Sequence, residues 1–314
     1  MTDTFTPEFA ASASYPEIGV AEPAVQARDW PTILALYERS DWELRDRLVR
    51  TIAEIAGTED FFREIVARDP DDLVAATALG TRLISIGWEI RTAKRAKDVS
   101  REQFAALHDY LRQAERILID VCARDPGNAV AWESRQTTSR GLQLGVGESR
   151  RRYEHAVRAA PHFLGAQYNH LQQLCPKWSG GTFDKVHAFA RECMLAAPPG
   201  AHNARLVIDA LVEHYIELPA GEDKAYRDSP ETRAAVVEAA ERSVLHPDFQ
   251  RTTGWVDTVS SFALGLSVVG AWTEAKQCFL ALGNLASLRL WSFYYWRDTE
   301  TQFRVVRDLA LEHG

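Results

Sequence analysis

The chain has 314 residues, 46% of them apolar, which is enough to bury a sizeable core and excludes disorder over most of its length. Its 36 Lys and Arg against 44 Asp and Glu leave a net charge of -8, which opposes non-specific attraction to nucleic acid or an anionic membrane. No run of about 18 apolar residues occurs, Met1 to Pro16 lacks the basic-then-apolar order of an export signal, and Cys122, Cys175, Cys193 and Cys278 stand far apart without CxxC spacing, so reduced, buried thiols in a cytoplasmic protein are expected.

Residues 1–22 are rich in Thr, Ser, Ala, Pro and Glu and show no helical period, so they are expected to be a flexible or loosely docked lead-in, with Phe5 and Phe9 available to clip onto the body. From Val25 onward the apolar spacing is helical. Between 73 and 90, Leu73, Ala76, Leu79, Leu83, Ile86 and Ile90 recur three or four apart. Breaks fall at Asp69-Pro70-Asp71-Asp72 and Asp125-Pro126-Gly127-Asn128, where proline stops one helix and an acidic residue or Asn caps the next. A polar insertion spans Lys94 to Ser100.

Aligning the chain on Pro70, Pro126, Pro161 and Pro198 brings four segments into one register. Thr58, Phe62 and Ile65 match Ala114, Leu118 and Val121, then Ser149, Tyr153 and Ala156, then Val186, Ala190 and Cys193. Positions four and seven apart share a helix face, so the register predicts a repeated packing stripe that ends at a turn. The intervals Pro126–Pro161 and Pro161–Pro198 are 35 and 37 residues, near the ~34 of a tetratricopeptide unit.

Ala76, Leu79, Gly80 and Leu83 resemble the first-helix pattern of tetratricopeptide repeats, with Ala where that pattern prefers Trp. Leu264-Gly265, Gly270, Trp272, Ala275 and Phe279 resemble it a second time. Over residues 25–285 the resemblance implies an α/α superhelix of stacked antiparallel helix pairs, with a concave groove for a peptide or protein. Cys175-Pro176-Lys177-Trp178-Ser179-Gly180-Gly181, with Phe183 and Phe189-Ala190-Arg191, is similar to the lysine-tryptophan-glycine motif of the uncharacterised bacterial DUF4034 family, a resemblance that implies no activity.

No GxSxG, Walker loop, HExxH or dinucleotide glycine fingerprint is present. The best catalytic candidates are His170, Cys175, Glu213 and His214. His162 and His170 stand eight apart, and with Glu213, His214 and Glu217 a His-carboxylate metal site is conceivable, set against satisfied structural histidines. Lys177 stands near Cys175, which packs as a core thiol by default. Ser179-Gly180-Gly181-Thr182 precedes a helix and reads as an interhelix turn in preference to an anion cradle. Arg91, Lys94, Arg95, Lys97 and Arg101, and Arg150-Arg151-Arg152, are basic clusters that suit phosphate or an acidic peptide, or form solvated faces.

The aromatic run Trp291, Phe293, Tyr294, Tyr295 and Trp296 cannot all face one side of a helix, so it must cover two surfaces. One role closes the array against a final helix near 298–312. The other presents Tyr and Trp anchors to a partner. Together these features predict an all-α chain with one helical-repeat domain over 23–314, 13 to 15 helices and an aromatic-rich C-terminal cap. The expected function is a non-enzymatic scaffold or adaptor that holds a protein segment through Lys177, Trp178, Trp291, Tyr294 and Tyr295, without metal, cofactor or membrane. The alternative is an enzyme or small-molecule-binding protein with a pocket in the helical scaffold.

Overall fold

The turn residues read from the sequence are where helices start. The computed structural model describes residues 5–94, 96–219, 221–295 and 297–314. In it Asp72 accepts a hydrogen bond from the Ala75 N–H at 2.8 Å and Asn128 from the Ala131 N–H at 3.0 Å, so each turn-ending polar residue caps the helix that follows. Ser100 and Gln103 form a reciprocal capping box at the end of the polar insertion. All regular elements among the described residues are helical, and the one β-type pairing among them is a bridge between Glu8 and Leu285. The fold is all-α.

Two compact units divide the chain, one of Pro16–Gln173 and one of Met1–Tyr15 with Leu174–Gly314. A short α1 (Ala11–Ser14) belongs to the latter. The Pro16–Gln173 unit contains α2 (Pro16–Gln26), α3 (Trp30–Glu38), α4 (Trp42–Glu54), α5 (Glu59–Arg68), α6 (Leu73–Arg91), α7 (Arg101–Arg124), α8 (Ala129–Gly141), α9 (Val146–Ala159) and all but the last residue of α10 (Leu164–Leu174). Helix α2 starts inside the segment expected to lack structure. Its buried face is Ile18, Ala21, Ala24 and Val25, a three-to-four spacing carried mostly by small residues. Large apolar side chains, which mark periodicity most strongly, are scarce there.

The repeated register is a real packing stripe. Of its twelve positions all are buried except Tyr153, which is half-buried, and they lie at the start of or within α5, α7, α9 and the later helix Phe183–Ala196. Helix α6 packs against α4, α5, α7 and α8, which is why a helix long and apolar enough by length and composition to cross a bilayer is mostly buried here. Gly80 makes its approach to α7 possible, since a Cβ there would stand 2.7 Å from Leu118 Cγ.

The second unit continues with α11 (Pro176–Ser179), α12 (Phe183–Ala196), α13 (Arg205–Glu217), α14 (Glu222–Arg227), α15 (Pro230–Arg242), α16 (Trp255–Val268), α17 (Trp272–Leu282), α18 (Trp291–Tyr294) and α19 (Thr299–His313). Helix α13 packs against α12, α15 and α16, and α17 against α16 and α19. Gly265 again sits at a close crossing, where a Cβ would meet Ile208 Cγ2 at 2.8 Å. Phe9 packs edge-on to Phe303 with centroids 5.8 Å apart, and Arg307 lies over the Phe5 ring, so both lead-in aromatics dock on α19. Trp291 is wholly buried among Phe279 and Phe303 and donates Nε1–H to the Ser260 carbonyl at 2.9 Å.

Candidate functional site

The residues singled out from the sequence fall into three groups. Trp291, expected as a binding residue, is wholly buried in the core and offers no face to a partner. Trp296 and Arg95 lie outside the described residues. His170 is buried in the Pro16–Gln173 unit, stacked on Tyr153 and with Nδ1 3.2 Å from Ser149 Oγ. Burial, then Arg150, pushes it down to about 4. His162 stands in the turn before α10 with a left-handed φ of 63°, so the helical spacing to His170 that a shared metal site needs does not form. Among the described residues no three His, Cys, Asp or Glu converge on a metal position.

Cys175, Glu213 and His214 belong to the second unit. Cys175 is fully buried just ahead of α11. Glu213, buried on α13, receives Lys177 Nζ at 2.5 Å, so one expected binding residue and one catalytic candidate neutralise each other. Trp178 is half-buried on α11. Gly180 adopts the left-handed C-cap (φ 66°) and the Gly181 N–H donates to Ser179 Oγ at 3.0 Å, which makes this segment a self-satisfied turn. The Arg150–Arg152 cluster and Arg91 are similarly occupied. Arg152 is buried and donates to Glu115 and Glu148, Arg151 to Glu148, Arg150 to Glu154, and the buried Arg91 to the Thr92 and Lys94 carbonyls.

Tyr294 and Tyr295 remain, and both line an open cleft of about 590 Å³. Its other walls are Arg227 at the end of α14, Ser229 and Arg233 at the start of α15, the Ser267–Gly270 turn after α16, and Trp272. Tyr294 packs on Tyr215 at 4.8 Å and edge-on to Tyr295 at 4.8 Å, which fixes both phenols. Arg227 is paired with Asp228 at 2.8 Å. Arg233 is exposed and makes no ion pair among the described residues, so the cleft combines two rigid phenols, an indole and an uncompensated guanidinium. Nothing in the sequence marked Arg233, since a single Arg on an exposed helix face carries no local signal.

A second cleft, of about 250 Å³, opens between α12 and α15 over α13. At one end His187 Nε2 lies 3.0 Å from His214 Nδ1 and 3.2 Å from the Tyr226 hydroxyl, and Phe183 stacks on His214 at 4.3 Å. Burial, then His214, holds His187 down at about 4. Burial lowers His214 as well, against the pull of Asp184, and raises Tyr226. All three side chains are therefore neutral near pH 7. His214 was a candidate from the sequence. His187 and Tyr226 were not, because they stand 27 and 12 residues from it on other helices. Compared with known proteins, the chain matches no family model, no curated protein and no solved structure.

Proposed function

We propose that the chain is a non-enzymatic adaptor of tetratricopeptide-like character, built from stacked antiparallel helix pairs, that holds an acidic protein segment in the Tyr294–Tyr295–Arg233 cleft. The observation that carries this reading is the unpaired Arg233 guanidinium beside two immobilised tyrosines and Trp272. Tyr, Trp and Arg are the side chains that most often dominate binding energy at protein interfaces, because each presents large area or several donors at modest entropic cost. A carboxylate-bearing segment would meet both features, with its acid on Arg233 in a forked hydrogen bond and its apolar groups against the rings. The chain's net charge of -8 makes this local cation a selective feature rather than part of a general polyanion surface.

The test compares proteins retained from native lysate by the wild type and by Arg233→Glu, followed by direct titration of the retained partner's acidic peptides. A partner lost on charge reversal, whose peptide binds at least tenfold more weakly to Tyr295→Ala, supports the reading. Identical retained sets for both proteins, or peptide binding indifferent to both changes, refutes it.

A further inference from the structure

The α12–α15 cleft shares no lining residue with the Tyr294 cleft, and its chemistry differs. Its apolar walls include Ala190, Val207, Leu211 and Val236, and His187 and Tyr226 form one polar end, with Thr232, Arg191 and Glu231 also on the lining. Its one lining cation is already paired. Arg191 is held by Glu238 in a two-point bridge at 2.5 and 2.9 Å, which leaves only the exposed Glu231 without a partner. A dry apolar cavity of roughly 150 Å³ holds one benzene ring, so about 250 Å³ suits a fused pair of rings or an aliphatic body of similar bulk. It is too small for a helix, whose diameter is about 10–12 Å.

The polar end sets the head group. With both imidazoles neutral, one hydrogen is shared between His187 Nε2 and His214 Nδ1. If His214 holds it, that hydrogen occupies the single lone pair of His187 Nε2, and the Tyr226 hydroxyl, 3.2 Å from the same nitrogen, keeps its hydrogen and its lone pairs for a newcomer. If His187 holds it, the one Nε2–H goes to His214 Nδ1 with the Tyr226 oxygen as a second, weaker acceptor, and the Tyr226 hydrogen is free to donate outward. A hydroxyl group, which both donates and accepts, fits either arrangement. A carboxylate can accept the Tyr226 hydrogen but finds no free counter-charge there, since Arg191 is held by Glu238. We propose that this socket binds a small neutral amphiphile, an aromatic or compact aliphatic body bearing one hydroxyl, with the hydroxyl on the Tyr226–His187–His214 chain and the body between α12 and α15. Mostly apolar walls with a few convergent polar groups are the usual anatomy of a small-molecule site.

The probe is 2-naphthol, titrated into the full chain by calorimetry and followed by methyl NMR of Ala190, Ala235 and Val207. The expected result is saturable binding with Kd below about 1 mM, methyl shifts confined to those residues, and loss of binding in Ala235→Phe, which fills the socket from α15. Tyr226→Phe should weaken 2-naphthol about tenfold, the effect of one hydrogen bond, while leaving naphthalene binding within twofold. The charged analogue 2-naphthoate should bind at least tenfold more weakly than 2-naphthol. Absence of saturation, methyl shifts elsewhere, or naphthoate binding as tightly as naphthol would each overturn the proposal. If Ala235→Phe does not fold, the methyl shifts and the Tyr226→Phe comparison decide.

Discussion

Removing the carboxylate of Glu115 is the most demanding test of how the Pro16–Gln173 unit is held together. Glu115, on α7, accepts from Arg135 Nε and Nη2 at 3.1 and 2.9 Å, from Arg152 Nη1 and Nη2 at 2.9 Å each, and from the Thr138 hydroxyl. Three helices, α7, α8 and α9, thus meet on one acid. The arginine side chains are only 8% and 3% exposed, so Glu115→Ala leaves two guanidinium groups out of water with reduced compensation. Breaking a buried pair from one side costs about 3–5 kcal/mol. Arg152 keeps Glu148 at 2.7 Å and the Arg135 carbonyl, so the expected loss is near the lower end, about 3 kcal/mol. Urea denaturation should show this as a lowered midpoint, and hydrogen exchange should place the lost protection on α7, α8 and α9. Replacing all three charged groups by Leu and Met should recover most of the loss, because the desolvation cost disappears with the charges. Glu154→Ala, which breaks the half-exposed pair with Arg150, should cost under about 1 kcal/mol. A loss from Glu115→Ala no larger than that of Glu154→Ala would refute the claim that these helices depend on the shared carboxylate.

Glycine substitutions should separate close crossings from open helix positions. Gly80→Val and Gly265→Val each place carbons within 3 Å of Leu118 or Ile208 and should lower stability by about 2 kcal/mol in chemical denaturation, whereas Gly147→Ala, with nothing within 4 Å, should raise it by up to about 1 kcal/mol. Acid should weaken the fold in a defined window. His170 and His187 fold with pKa values near 4, below the ordinary 6.5, so the folded state favours their neutral forms, and the stability this gives is complete above pH 6.5 and lost as pH falls toward 4. Glu148, held at about 2 first by its hydrogen bond from Arg151, adds a further loss between pH 4.5 and 2. Denaturation midpoints that stay level from pH about 7.5 to about 4.5 would contradict the histidine assignment.

Local signals in the chain were legible, and partnerships between distant residues were not. Asp72 and Asn128 announced helix starts because an N-cap is read from two or three neighbouring positions. The stripe from Thr58 to Cys193 was visible because helical period converts spacing into a shared face. Helix α2 escaped notice because half of its short buried face is alanine. Arg150-Arg151-Arg152 reads as one basic patch in the sequence. On helix α9 the three side chains point in different directions, and only Arg152 turns inward to a carboxylate 37 residues away.

The same reasoning explains why the candidate sites were only half found. Lys177 and Glu213 were both chosen for their charge, and they pair with each other across 36 residues, which removes each from the set of groups open to a ligand. Tyr294 and Tyr295 were chosen as aromatic density, and they hold open positions because Trp291 takes the buried side of the same short helix. The unpaired cation of their cleft is Arg233, and the polar end of the second cleft is His187 and Tyr226; none of the three has a sequence neighbour that shares its role. Periodicity determines which face of each helix is buried, but which ionisable groups stay unpaired depends on every partner in space. Unpaired Arg233 and the neutral His187–His214–Tyr226 chain are therefore features of the packed helices, and the two proposals rest on them, an anion for one cleft of the second unit and a neutral hydroxyl for the other.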